Sequence, residues 1–252
     1  EVEPGADALR PEALRPEALA VTIVDAATGS WGLVLDDALL VADPQRVGSK
    51  VLLIPFVGSL NMTRSLTAWL ALLVAVQARP SDDISGALVV TRAGAKEKAP
   101  GLMTWFEAPT HGAQALKAVL RVWRQAQVAQ VPLFKHTSWA LAEALVTLRQ
   151  TRGDDATWWL LSPEERQTLR GLASQHWASS SRATGDEDDR WVAAIWGAPD
   201  FDDVLPESTT ETVKSEPDWI AYVRELLVPI WDAQHPYDAR PQAATDTTRG
   251  DS

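Results

Sequence analysis

The chain has 252 residues, no cysteine, and 34 acids against 23 bases, for a net charge of −11. That length suffices for one large domain or two small ones with a sizeable core. The charge excludes a self-sufficient nucleic-acid binder, which needs clustered Lys and Arg; the missing cysteines exclude disulfides and thiolate metal sites, as fits a reducing cytoplasm.

The first twenty residues repeat Ala-Leu-Arg-Pro-Glu at Ala8–Glu12 and Ala13–Glu17. A proline every fifth residue interrupts any helix, so residues 1–19 read as a linker. The first residue is Glu, not Met, which predicts a piece of a longer or processed chain, and no basic start or apolar signal core suggests export. Val21–Val24 alternates as a strand should. Asp25–Ser30 is turn-like, Trp31–Leu35 is a second strand, Asp36-Asp37 make a tight turn, and Ala38–Ala42 resume extended. Lys50–Phe56 is a continuous apolar strand, expected to be buried on both faces. Ser59 or Asn61 caps a helix to residue 78, with Leu66, Trp69, Leu70, Leu73 and Val74 on one face.

Ala87–Thr91 is another strand, residues 92–101 a basic loop, and Gly101–Phe106 a further strand. A helix follows from Pro109–Gly112 to Ala129, with Ala115, Leu116, Val119, Leu120 and Trp123 facing inward. Thr137 caps a helix to Gln150. Ser162-Pro-Glu-Glu165 opens another, with a cap, a proline at the first position and acids against the dipole. Asp188 or Asp189 caps Arg190–Trp196. Residues 200–216 are acidic, rich in Ser and Thr, and read as mobile. Asp218 caps a last helix through Trp231, and residues 237–252 read as a disordered tail. This order predicts an α/β or α+β domain over 20–236: a mixed sheet, flanking helices and a helical C-terminal extension. The longest apolar run, Ala68–Gln77, is too short to span a bilayer, so no membrane is expected.

Charge is concentrated late. Residues 185–218 hold eleven acids and two bases, while the rest is nearly neutral. Such a body can lie beside DNA inside an assembly. Twelve tryptophans against two tyrosines have two readings: core filling, or anchors at a subunit interface.

Two segments stand out: Val131-Pro-Leu-Phe-Lys-His-Thr-Ser138, opening a helix, and Gly185-Asp-Glu-Asp-Asp-Arg-Trp191, opening another. With the Ser59–Leu70 helix start and the closing helix to Trp231, their order and spacing resemble the C-terminal region of RecC, the gamma subunit of exodeoxyribonuclease V, over residues 20–235. Trp69, Pro132, Lys135, Thr137, Ser138, Gly185, Asp188, Asp189 and Trp191 carry the resemblance. It implies a restriction-endonuclease-like core of the RecB nuclease type that has lost its chemistry. It further implies a scaffold and DNA-channelling role in an ATP-dependent helicase–nuclease for double-strand-break repair. The implied partners are RecB-type and RecD-type subunits and DNA, with Mg²⁺ and ATP used by the partner subunits and none on this chain. Arg64 in the first helix and Arg92, Lys96 and Lys98 in the basic loop are the candidates for DNA contact.

The residues themselves agree on missing chemistry. A nuclease of this fold needs an acid-x-Lys pair to hold Mg²⁺ and activate water. The residues two before the six lysines are Gly48, Gly94, Lys96, Ala115, Leu133 and Thr212, none acidic. There is no Gly-rich phosphate loop, and His111, His136, His176 and His235 lack metal-ligand spacing. His136 and Ser138 are two apart at a helix start and do not face each other as base and nucleophile. Two alternatives remain: a divergent Mg²⁺ nuclease using Asp36, Asp37 or Asp43, and a free-standing interaction protein with an acidic arm at 200–216.

Overall fold

The computed structural model describes residues 16–25, 29–56, 59–91, 102–153, 158–180, 185–197, 200–204 and 218–237. Among the described residues, the β-branched and leucine-rich N-terminal half builds five strands of a six-stranded sheet paired in chain order, and the sixth comes from near residue 235. β1 (Glu17–Asp25) pairs antiparallel with β2 (Gly29–Ala42), and β2 with β3 (Lys50–Phe56). The helix α1 (Met62–Ala78) then crosses over to β4 (Ile84–Thr91), parallel to β3. β5 (Leu102–Glu107) and β6 (Gln234–Pro236) add antiparallel. The sheet is therefore mixed, and β3 is central, with an antiparallel neighbour on one side and a parallel one on the other. Its Val51 and Leu52 are buried, while Leu53 and Ile54 are only half-buried.

Three early expectations change. β1 starts at Glu17, inside the expected linker, and Leu19 is in the core; the repeat up to residue 15 lies outside the described residues. Asp36-Asp37 do not end a strand. Glu17 pairs with Ala38 and Leu19 with Leu35, so two residues oppose Ala18 alone, a β-bulge. Asp37 takes φ 54°, a left-handed conformation that Asp tolerates better than most residues. The bulge bends one long strand: Gly29–Leu35 serves β1, and Leu39–Ala42 serves β3. β4 also begins three residues before the expected Ala87, because Ile84 and Gly86 are already paired with Lys50 and Val51.

Asn61 caps α1 by accepting the Arg64 amide at 3.1 Å. The buried face of α1 is Ser65, Ala68, Trp69, Leu72, Leu73, Val74 and Ala75, rotated slightly from the expected stripe so that Leu66 and Leu70 are half-buried. α1 packs across β1 to β4 and against α2 (Gly112–Ala126). In α2, Val122 takes the buried place expected of Trp123, which is 50% exposed.

The helical extension runs α3 (Thr137–Arg152), α4 (Pro163–Trp177), a 3₁₀ turn (Asp186–Asp188), α5 (Arg190–Trp196) and α6 (Phe201–Val204). α6 falls in the stretch expected to be mobile; residues 205–217 lie outside the described residues, as does the tail from 238. Ser162 and Glu165 form the expected capping box on α4. The Glu165 carboxyl is lowered from its ordinary value, first by the Ser162 backbone N–H, with burial opposing and Arg152 adding to the lowering.

The last helix is not continuous. α7 (Asp218–Tyr222) passes into a π-helical turn (Val223–Leu227) and then α8 (Val228–Ala233). Pro229 explains the widened turn: its ring conflicts with the carbonyl four residues back, and it has no N–H to continue the ladder. The Val228 N–H accordingly reaches Val223 O, five residues away. The chain then leaves α8 as β6 and closes the sheet edge on β5. Trp231 locks this helix to α3, its indole N–H donating to Trp139 O at 3.2 Å and the two rings 4.9 Å apart. The core runs through α1, α3, the last helix and the sheet, and includes Trp69, Trp158, Trp177 and Trp219. Buried Trp105 closes over Gly86.

Gly86 has no room for a side chain. A Cβ there would lie 2.2 Å from Phe106 O and 2.3 Å from the Trp105 ring. Gly86→Ala should lower stability by about 2 kcal/mol, seen as a fall in the urea midpoint at unchanged slope; an unaltered midpoint would refute the packing described. Because its folded-state pKa is depressed, Glu165 contributes stability present above its unfolded pKa and lost as pH falls through the folded one. The stability gap between the parent and Glu165→Gln should be open at neutral pH and close in acid. A gap that persists well below the carboxylate range would show that packing, not charge, is responsible.

Candidate functional site

The two segments singled out in the sequence meet in space, through a residue that sequence reasoning missed. Asp186 is fully buried. Its carboxylate accepts the His136 amide at 3.1 Å and the Thr137 amide at 2.7 Å. These are amides at the start of α3, which have no partner within the helix. A carboxylate there also complements the positive end of the helix dipole. Thr137 is therefore not the cap: its own Oγ1 is buried and has no hydrogen bond, and no side chain from the adjoining position caps α3. The cap comes from fifty residues later. A run of four acids marks a turn, and nothing in it distinguishes Asp186 from its neighbours except its burial.

Each side of this junction is locked locally. Pro132 centres a tight turn in which the Leu133 N–H donates to Val131 O at 2.8 Å. The Phe134 N–H donates to Ser138 Oγ at 2.8 Å, so the Ser138 hydroxyl closes this turn. The Phe134 ring meets Trp177 edge-on at 5.0 Å and Trp196 at 5.8 Å, joining α4 and α5 to the turn. Gly185 is required by close approach: a Cβ would stand 2.2 Å from Trp177 O. Asp189 caps α5 by accepting the Trp191 amide at 2.7 Å, as the sequence predicts. Asp188 and Lys135 are exposed. Trp191 is 63% exposed, with the Arg190 guanidinium 5.0 Å from its ring centre. Between the two segments lies a groove of about 630 Å³.

The remaining predicted residues are not gathered there. Trp69 is buried, at the floor of a second groove between the β5–α2 connection and the last helix. In that groove Arg121 faces Glu225 at 3.8 Å and Arg149 pairs with Asp232. Arg64 donates to Ser59 O at the start of α1. Arg92, Lys96 and Lys98 lie outside the described residues, as does most of the acidic arm.

The aspartates of the nuclease alternative are separated by environment. Asp36 and Asp37 are exposed on the bulge. Asp43 is buried, accepting Ser85 Oγ at 2.6 Å and the Gln45 amide at 2.9 Å. Lys50 pairs with Asp82 at 2.9 Å, and Arg46 with Asp83 at 3.5 Å, so the start of β3 and β4 is tied by ion pairs. Among the described residues, no group of three or more His, Asp or Glu side chains is arranged to hold a metal ion. Nor is any helix among them long and apolar enough to cross a membrane.

Removing the cap leaves two α3 amides without a partner in a buried place. Asp186→Ala should cost about 2–3 kcal/mol, and Asp186→Asn, which keeps one acceptor oxygen, should cost less. Equal stability of Asp186→Ala and the parent in urea unfolding would show that the junction is not held this way.

No curated protein matches the chain. The family model for the RecC C-terminal domain matches residues 2–146. That span includes the whole sheet except β6, and it includes α1, α2 and the Pro132–Ser138 turn, while Gly185–Trp191 lies beyond it. The match covers more than half of the sequence, and it falls on the turn that the buried carboxylate secures: the chain belongs to the RecC C-terminal domain family, that of the RecC-type subunit of exodeoxyribonuclease V complexes in DNA repair and recombination.

Proposed function

We propose that this domain is a non-catalytic scaffold of its RecC-type subunit, holding RecB-type and RecD-type partners and helping to channel DNA between them. ATP and Mg²⁺ are used by those partners. The observation that carries this reading is the fate of Asp43. It is the acid at the end of β2, next to the central strand, and its carboxylate is buried and engaged by Ser85 and Gln45 rather than aimed at a metal. With no acid-x-Lys in the sequence, the chain lacks the residues that a Mg²⁺ nuclease uses to hold the ion and activate water.

The topology supports descent from a nuclease-type core. An antiparallel meander, β1-β2-β3, is followed by α1 and then by β4 parallel to β3. What that core retains is packing. Its strand ends are held by Ser85, by Lys50 with Asp82 and by Arg46 with Asp83, and its helical extension supplies surfaces for partners. DNA contact falls to Arg64 and to Arg92, Lys96 and Lys98, within a chain whose overall charge makes binding dependent on the assembly.

Exposed Asp36 and Asp37 give the cleanest test. Asp36→Asn with Asp37→Asn is placed in the full-length subunit and assayed without partners, which bring their own Mg²⁺ chemistry. The parent subunit alone should show no Mg²⁺-dependent DNA cleavage. Cleavage by the parent alone that falls about a hundredfold in the variant would establish the divergent nuclease instead.

A further inference from the structure

We propose that the outer edge of β1 takes up an extended segment of a partner subunit as an added strand, one that carries Lys or Arg beside Asp36 and Asp37. The proposal rests on reading the chain as part of a RecC-type assembly, and it adds where a partner joins and by what chemistry.

The two edges of the sheet are built differently. At one edge β6 is three residues long and ends in Pro236, which has no N–H to offer a further strand. At the other edge β1 runs from Glu17 to Asp25, and among the described residues it has no neighbour on its outer side. Leu19–Asp25 stays in unbroken register with β2, because the bulge lies in β2. Leu19-Ala-Val-Thr-Ile-Val24 holds no proline and no charge. Short strands, prolines, bulges and lysines keep a sheet edge from pairing, and this stretch of β1 has none of them. An antiparallel strand bonds its neighbour through alternate residues, so the remaining N–H and C=O groups of β1 point away from the sheet. They are the donors and acceptors that a further strand uses.

Side chains and charge specify what joins. Leu19 and Ile23 point into the core, so Ala18, Ala20 and Thr22 lie on the opposite face, where all three are exposed. They are small, and across Ala20 on β2 stands Val34, 64% exposed. Side chains of an added strand can therefore lie over β1 and meet β2, about 10 Å away at two strand spacings. Across Ala18 they meet the bulge, where Asp36 and Asp37 are exposed and have no ion-pair partner among the described residues. Glu17 is already answered by Arg79, so the excess charge at this corner is that of the two aspartates. It selects a basic side chain and repels a phosphate backbone. A second copy fits poorly, since pairing two β1 edges antiparallel brings Asp25 of each to the acidic corner of the other.

Amide-resolved hydrogen exchange of the full-length RecC-type subunit, free and with its RecB-type and RecD-type partners, is the test. Alternate amides within Leu19–Val24, fast in the free subunit, should slow about tenfold or more in the complex, while those between them, already bonded to β2, stay slow. Asp36→Lys with Asp37→Asn, which keeps a residue that tolerates the left-handed backbone, should weaken association about tenfold or more. Asp188→Lys, at an exposed acid of the helical extension, should leave it unchanged. Alternate amides that stay fast in a fully formed complex, or an affinity that the charge variant does not alter, would overturn the proposal and leave the scaffold reading standing. If the parent does not assemble with these partners, the scaffold reading fails and takes the added strand with it. Alternate amides already slow in the free monomeric subunit would give the edge to another part of the same chain. Slowing only on self-association would give it to a second copy, and either result overturns the proposal.

Discussion

One buried carboxylate ties the start of α3 to the turn before α5 within the helical extension. Asp186 reaches back fifty residues to the first amides of α3 and ties together two segments that are each locked locally. The interaction is economical in physical terms. A helix start leaves amides that must find acceptors, and a buried acid needs donors; each satisfies the other in a place that water does not reach. Gly185 lets the acid approach, Pro132 and Ser138 shape the turn it grips, and Phe134 carries that turn into Trp177 and Trp196. From there the chain continues into the last helix, whose Pro229-induced π turn redirects it to close the sheet as β6.

The same logic governs the strand ends. A nuclease keeps acids at such places poorly satisfied so that a metal ion completes them. Here Asp43 is completed by a serine hydroxyl and a backbone amide, and Asp82 and Asp83 by Lys50 and Arg46. Groups that could act chemically serve as structural ties. In a RecC-type subunit this favours the proposed scaffold, a part whose work is to hold neighbours in register.

Much of the fold was legible because local chemistry decided it. Asn61, the Ser162–Glu165 box and Asp189 cap the helices that the sequence places after them, since capping depends on residues three or fewer apart. The strands through β5 follow from their β-branched and apolar runs. What was not legible depended on partners far along the chain. The bulge at Asp37 exists because β2 serves two neighbours, and an Asp-Asp pair alone reads as a turn. β6 is three residues that become a strand only because β5 has a free edge. Thr137 is a good cap by type and lost the role to a distant acid in the better position. Trp123 has the right spacing for the core, but Val122 fills that place. The core-filling reading of the tryptophans holds for Trp69, Trp105, Trp158, Trp177 and Trp219, while Trp123 and Trp191 face solvent.

The Asp186 tie can be followed amide by amide. Hydrogen exchange of the parent and of Asp186→Ala tests it most directly. Loss of the carboxylate should speed exchange of the His136 and Thr137 amides and of the turn at 185–189, while β3 and β4 exchange as in the parent. Unchanged exchange at His136 and Thr137 in the variant would contradict it.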